Sequence, residues 1–249
     1  MSGHSKWSQI KRQKGVTDNL RGQVFTKLAR EITVAARAGG GDPNANFRLR
    51  LAVQKARDNN MPHDNVERAI KRGTGELGAA VLEELVYEGY GPGGVAVFIE
   101  GTTDNRNRFV ADVRNILTRA GGSLGEAGSV SWLFEQRGLV VLEPGKIDED
   151  ELLLAAAEAG ADDIKLDKRA VDVYTRPEAL EGARRALEER HYKVVSAEVA
   201  MFAKTTIPID SKVTHQILRL MEKLEELDDV QRVFTNADYS EEGLDTYRG

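Results

Sequence analysis

Cysteine is absent from all 249 residues. That excludes disulfides, thiolate nucleophiles and cysteine-bound zinc, and it suits a reducing compartment. Histidine is scarce. His4, His63, His191 and His215 lie far apart and none has a second histidine at i+4, so a histidine-based zinc helix is excluded as well. Apolar runs such as Val95 to Ile99 fall far short of the roughly 20 residues that cross a bilayer. The first segment carries Lys6, Lys11, Arg12 and Lys14 without an apolar stretch, so no secretory signal is visible. A cytoplasmic protein with no membrane partner is expected. With 41% hydrophobic and 30% charged residues, composition also argues against disorder.

What is present is charge, unevenly placed. The net charge is −5, yet residues 1–76 hold 15 Lys/Arg against 7 Asp/Glu, a balance of +8. Residues 77–249 hold 20 against 33, a balance of −13. One end can therefore approach a phosphate backbone that the rest of the chain repels. In the arm, Lys6, Lys11, Arg12 and Lys14 surround Trp7 with no core-forming period. Cations attract phosphate, and an indole stacks on an unpaired base for roughly 1–3 kcal/mol; alternatively, Trp7 pins the arm to the helices behind it. Lys27, Arg30 and Arg37 form a stripe on the first predicted helix, and Arg48 and Arg50 flank the apolar face of the second. Arg68, Lys71 and Arg72 point outward from the third. Any one of these is by itself a snorkelling surface side chain. Taken together, the cluster points to phosphate contact.

Periodicity organises the chain. Apolar residues at helical spacing predict helices over residues 23–38, 46–58 and from Pro62 to Gly73, separated by Gly39-Gly40-Gly41 and Asn59-Asn60. Three short helices make a small bundle. After residue 76 the period changes. Strands are expected over 83–88, 95–100 and 130–134, with a helix between the last two capped by Thr103 or Asp104. Residues 139–199 then read β-α-β-β-α-β, the ferredoxin-like order. A last strand-helix-strand, its helix over 211–227, is expected to return to the sheet begun at residue 81. The fold class is thus α+β: an N-terminal three-helix domain followed by two ferredoxin-like α/β domains, one inserted in the other. The expected domains are 1–76, 77–135 with 201–249, and the insertion 136–200.

Asn105-Arg106-Asn107-Arg108 opens the helix after the second strand. A helix N-terminus with Arg106 and Arg108 attracts an anion; equally, these residues cap the helix and pair with nearby carboxylates. Gly121, Gly122, Gly125 and Gly128 do not form a dinucleotide loop, because they follow a helix and lead into a strand. The Gly91 to Gly94 turn lacks the Gly-Lys-Ser/Thr of a P-loop. Ser129 and Ser131 lack a nucleophile elbow. The carboxylates Glu222, Glu225, Glu226, Asp228 and Asp229 read as a solvated face without a metal-loop pattern. No catalytic residue, metal site, cofactor or obligate small molecule is expected.

Several stretches resemble the YebC/PmpR family of probable transcriptional regulatory proteins. They are GHSKW at Gly3 to Trp7, FTKLAREI at Phe25 to Ile32, RLR at Arg48 to Arg50, and NMPHDNVERAIKRG at Asn60 to Gly73. YEGYGPGGVAV at Tyr87 to Val97, TDNRNR at Thr103 to Arg108, GGSLGEAGSVSWLF at Gly121 to Phe134 and DDVQRVFTN at Asp228 to Asn236 follow in order. Gln23 stands where a lysine is expected and Phe47 where a proline is common. The resemblance implies a helical domain before two α/β domains, one inserted in the other, and a role in gene expression. Bacterial members are described as DNA-binding regulators. A mitochondrial relative is similar to translational activators, and bacterial relatives are linked to relief of ribosomes stalled on proline-rich stretches.

Three readings follow: a DNA-binding transcriptional regulator, a ribosome- or RNA-binding translation factor, and a small-molecule sensor or enzyme built on the ferredoxin-like domains. The residues favour the first two, with DNA or RNA as partner, acting as a monomer. The chain shows no clear helix-turn-helix with an obvious reading helix, which limits the expected sequence specificity.

Overall fold

The computed structural model describes residues 7, 18–78, 82–145, 148–166 and 170–247. The described residues fall into two compact units, one within 18–131 and 208–247 and the other within 132–207 together with Trp7.

The first unit begins with the helical domain, α1 (Asp18–Gly39), α2 (Phe47–Asp58) and α3 (His63–Gly73). Leu28, Ile32, Ala35 and Ala36 of α1 meet Leu49, Ala52, Val53 and Ala56 of α2 and Val66 and Ala69 of α3 in one buried cluster. The α1–α2 turn is closed by Asn46. Its side chain accepts from the Leu49 amide at 3.1 Å, capping α2, and donates to the carbonyls of Ala35 and Gly40 at 2.8 and 2.9 Å. Helices α1 and α3 approach so closely at Gly73 that a Cβ there would lie 2.4 Å from the Thr33 carbonyl oxygen. The Thr33 hydroxyl also donates to the Ala69 carbonyl at 3.1 Å.

The α/β part of the same unit is built on a hairpin. β1 (Glu83–Tyr90) and β2 (Ala96–Thr103) pair antiparallel from Glu83↔Thr103 to Tyr90↔Ala96. Helix α4 (Arg106–Arg119) leads to the short β3 (Ser123–Leu124), which pairs with β1. The end of the chain contributes α7 (Ser211–Glu225) and β9 (Val230–Thr235), which returns to pair with β2. The order β3-β1-β2-β9 puts the hairpin at the centre. Phe109, Val113 and Leu117 of α4 and Ile217, Leu220, Met221 and Leu224 of α7 form the buried faces of the covering helices. Short β8 (Ile207–Pro208), β10 (Ala237–Asp238) and a C-terminal helix α8 (Glu241–Thr246) complete the chain.

The second unit runs β4 (Phe134–Leu142), α5 (Glu149–Glu158), β5 (Ala161–Leu166), β6 (Val171–Thr175), α6 (Leu180–Glu189) and β7 (Val194–Ala203). Its sheet order, β5-β6-β4-β7, follows from the β-α-β-β-α-β succession. The mixed α/β architecture with a helical N-terminal region is thus as expected. The ferredoxin-like order belongs to the inserted unit, whereas the discontinuous domain has a central hairpin.

Three local expectations are corrected. Residues 130–133 are not part of a strand. A single 3-10 turn spans Ser131–Leu133 and the strand starts at Phe134, because the Glu88 carboxylate takes up the amides that a strand partner would need. It accepts from Gly128 at 2.7 Å, Val130 at 2.6 Å and Ser131 at 2.7 Å. The helix after β2 is capped by Asn105, whose side chain accepts from the Arg108 amide at 3.0 Å, and not by Thr103 or Asp104. The strands expected at 139–142 and 194–199 are longer. β4 and β7 pair from Phe134↔Ala203 to Leu142↔Val194, so both run unbroken through 135–136 and 200–201, where a domain boundary was expected. Gly138 does not interrupt β4. A Cβ there would sit 2.3 Å from the Thr175 hydroxyl, so the missing side chain is what lets the neighbouring strand and α6 approach.

Candidate nucleic-acid interface

The cations expected to form a stripe on the helical domain are mostly used inside the molecule. Lys27 donates to the carbonyl of Glu225 at the end of α7. Arg37 donates to the Leu82 carbonyl just before β1. Arg48 makes a two-pronged pair with Glu84 on β1. Arg50 stays within the bundle. It donates to the carbonyls of Pro43 and Asn44, both at 3.3 Å, and stacks its guanidinium over Phe47 at 5.6 Å.

Arg30 is the most committed. Its Nη1 donates to Asp229 Oδ1 at 2.6 Å, to the Thr102 carbonyl at 2.8 Å and to the Asp228 carbonyl at 2.9 Å. Arg108 reaches the same carboxylate from the first turn of α4, donating from Nη2 at 2.8 Å and from Nε at 3.2 Å, and pairs with Asp104 at 2.8 Å. Hydrogen bonds to Asp229 and then Asp104 hold the Arg108 pKa above its ordinary value. Asp229 is only 7% exposed, and two arginines from separate elements neutralise it. It was read from sequence as one more solvated carboxylate. The hint available was an acid in the turn between an amphipathic helix and an apolar strand. Of the two cations suggested for an anion site, Arg108 is therefore engaged in an internal network, while Arg106 is exposed.

What remains is the outer face of α3. Arg68, Lys71 and Arg72 recur at i, i+3 and i+4 and so share one face of the helix. Val66 and Ala69 bury the opposite face. All three cations are exposed, and none has an ion pair or hydrogen bond among the described residues. The nearby Glu67 carboxylate lies against His63 at 3.6 Å. Lys71 and Arg72 occupy the last turn, where the helix dipole favours positive charge. Arg57, in the last turn of α2, is likewise exposed without a partner among the described residues. The structure thus divides cations that look alike in sequence into braces and open charges.

Lys6, Lys11, Arg12 and Lys14 lie outside the described residues. Trp7 is only 2% exposed, and it belongs to the compact unit of residues 132–207 rather than to that of the helical bundle. In this structure its indole is covered and is not offered to a base. Among the described residues, no group of three or more histidine, aspartate or glutamate side chains is arranged to hold a metal ion. No described helix is long and apolar enough to cross a membrane.

A helical domain braced against an antiparallel α/β domain, with exposed cations on its third helix, defines the class as a mixed α/β protein with a helical N-terminal region. The chain belongs to the TACO1/YebC family. Residues 5–76 match the model of the TACO1/YebC N-terminal domain and residues 82–237 that of the second and third domains. It is 53% identical over 248 residues to a "Probable transcriptional regulatory protein" of Herpetosiphon aurantiacus, covering 99% of this chain and 98% of the relative. It is 51% identical over 247 residues, with the same coverage, to one of Dehalococcoides mccartyi. The crystal structure of a conserved hypothetical protein from Aquifex aeolicus superposes with a TM-score of 0.82 at 44% identity, covering 90% of this chain and 93% of that one.

Proposed function

We propose that the protein is a non-enzymatic regulator of gene expression that binds nucleic acid, with DNA as its target, through the outer face of α3. The observation that carries this reading is the set Arg68, Lys71 and Arg72, three open cations on one helical face, in a domain whose other described cations are largely consumed internally. Unpaired charge on a rigid element keeps its attraction for phosphate, because no internal partner has to be displaced first. The names of the relatives, which refer to transcription, favour DNA over RNA. Phosphate contacts fix register and orientation and carry no sequence information directly, so this face supplies affinity. The reading assigns no catalytic step, and it puts the protein in the cytoplasm with its target.

The test is duplex binding by fluorescence anisotropy, with ribosome co-sedimentation run in parallel. The full chain is expected to bind duplex DNA with an affinity that falls as salt rises, log–log slope about −0.9 per phosphate neutralised. The triple variant Arg68→Glu, Lys71→Glu, Arg72→Glu is expected to lose that binding. Wild-type affinity in the triple variant, or a flat salt response in the parent, overturns the α3 assignment. Ribosome association without duplex binding moves the target to RNA.

A further inference from the structure

The body of the protein is acidic, yet a groove on it has no carboxylate among its described lining residues. The groove, of about 430 Å³, lies between α4 and α7 on the discontinuous domain. Arg119 and Asn115 line it from α4, and Arg219, Gln216 and Lys223 from α7, over an apolar floor that includes Ile116 and Leu220. Arg119 and Arg219 are exposed, and neither makes an ion pair or hydrogen bond among the described residues. Two of the acids on and beside α7 have partners. Glu226 holds Lys223 at 2.8 Å, and Glu222 accepts from the Tyr247 hydroxyl at 2.7 Å.

Two arginines from separate helices line one groove and concentrate positive charge there, so an anion in the groove is attracted by both. The guanidinium fork matches phosphate oxygens in pairs, and the Asn115 and Gln216 amides add neutral donors beside them. An apolar floor excludes water from one side of such contacts and strengthens them. None of these side chains belongs to α3 or to the Asp229 network, so the groove is a separate feature of the same unit.

We infer that the α4–α7 groove, through Arg119 and Arg219, is a second phosphate-binding site that takes the phosphodiester backbone of a nucleic-acid strand. The choice of strand as the phosphate source rests on the nucleic-acid reading above; the site itself does not. Polar groups spread along two helices, rather than converging on one point, suit a run of backbone better than one small ion.

The experiment uses the full chain and three variants. The groove variant is Arg119→Ala with Arg219→Ala. The α3 variant is Arg68→Ala with Lys71→Ala. The control is Arg114→Ala with Lys212→Ala, two exposed cations on the same pair of helices and outside the groove lining, which removes the same charge. Both groove side chains are exposed and unbonded, so the fold is expected to be kept, and thermal melting checks this. Labelled duplex and single-stranded oligonucleotides are titrated at several salt concentrations, and pyrophosphate is titrated by calorimetry.

Relative to the control, the groove variant is expected to bind oligonucleotide about a hundredfold more weakly, each of the two charge-assisted contacts being worth roughly tenfold. Its salt slope is expected to fall by about 1 per arginine, and its pyrophosphate binding is expected to disappear. Groove and control variants that behave alike toward both probes overturn the inference, whatever the α3 variant does. A loss confined to pyrophosphate overturns the strand assignment, because the groove then takes a small free phosphate. An unaffected α3 variant beside a weakened groove variant supports the groove and counts against the α3 reading.

Discussion

Arg30, midway along α1, spans to Asp229, in the turn before β9, and closes a 2.6 Å ion pair 199 residues away in sequence. Arg108 shares the carboxylate from a third element. Three stretches that look independent in the chain, FTKLAREI, TDNRNR and DDVQRVFTN, therefore meet at one buried group. The pair does structural work: it locks the helical domain to the sheet and so sets the direction in which α3 faces.

Removing the shared acid is more damaging than removing either base. Asp229→Ala leaves two arginines facing each other without a counter-charge. It is expected to cost about 2–4 kcal/mol, somewhat less than a fully buried broken pair, because Arg108 is partly in water. Arg30→Ala leaves Asp229 paired with Arg108 and is expected to cost roughly 1–3 kcal/mol. Urea unfolding reads both as a lower midpoint at unchanged slope. A milder effect from Asp229→Ala than from Arg30→Ala contradicts the shared-carboxylate arrangement.

Glu88 makes stability depend on acid. Burial alone raises its pKa, but the bonds donated by the Gly128, Val130 and Ser131 amides outweigh that, and the folded value lies below the ordinary one. A depressed folded pKa means that the group stabilises the fold above its unfolded value of about 4.3, and that this contribution fades as pH falls through the lower folded value. Glu88→Gln is accordingly expected to be less stable than the parent by about 1–3 kcal/mol near neutrality. The difference should narrow as both proteins are taken to acid. Denaturant titrations across that pH range check it, and a gap that widens on acidification reverses the sign and defeats the assignment.

Gly73 tests the packing of α3 on α1. An added methyl at this position meets the Thr33 carbonyl and the Ala36 side chain at 2.4 and 2.7 Å. Helix propensity alone predicts that Gly73→Ala stabilises. Overpacking is expected to win, with a net loss of about 1–3 kcal/mol. Since α3 carries the proposed phosphate face, duplex affinity is expected to fall with stability. A rise in melting temperature would show that the two helices separate at little cost.

Much of the fold was legible from periodicity. The apolar spacing of Leu28, Ile32, Ala35 and Ala36 announces a helix with one buried face, and the structure buries those residues. The return of the last strand to the sheet begun at residue 81 was likewise expected, and the structure pairs it with β2. Errors gathered where a side chain competes with the backbone ladder. Nothing around residues 130–134 in sequence says that a glutamate some forty positions earlier takes up their amides. The two strands joined by the Gly91 to Gly94 turn were legible, but their place at the centre of the sheet was not, because strand order is a choice among long-range pairings that local pattern leaves open.

The site was legible in composition and not in detail. Residue types and helical phase alone determined that the first 76 residues are cationic, that three helices lie among them, and that Arg68, Lys71 and Arg72 share one face. Only the tertiary structure decided which cations are open. Arg30 and Arg68 are indistinguishable as surface arginines on amphipathic helices. One lies opposite a buried carboxylate and two carbonyls brought in from distant segments, and the other faces none. Charge is a property of the residue, whereas its neutralisation depends on what the fold places within a few ångströms of it.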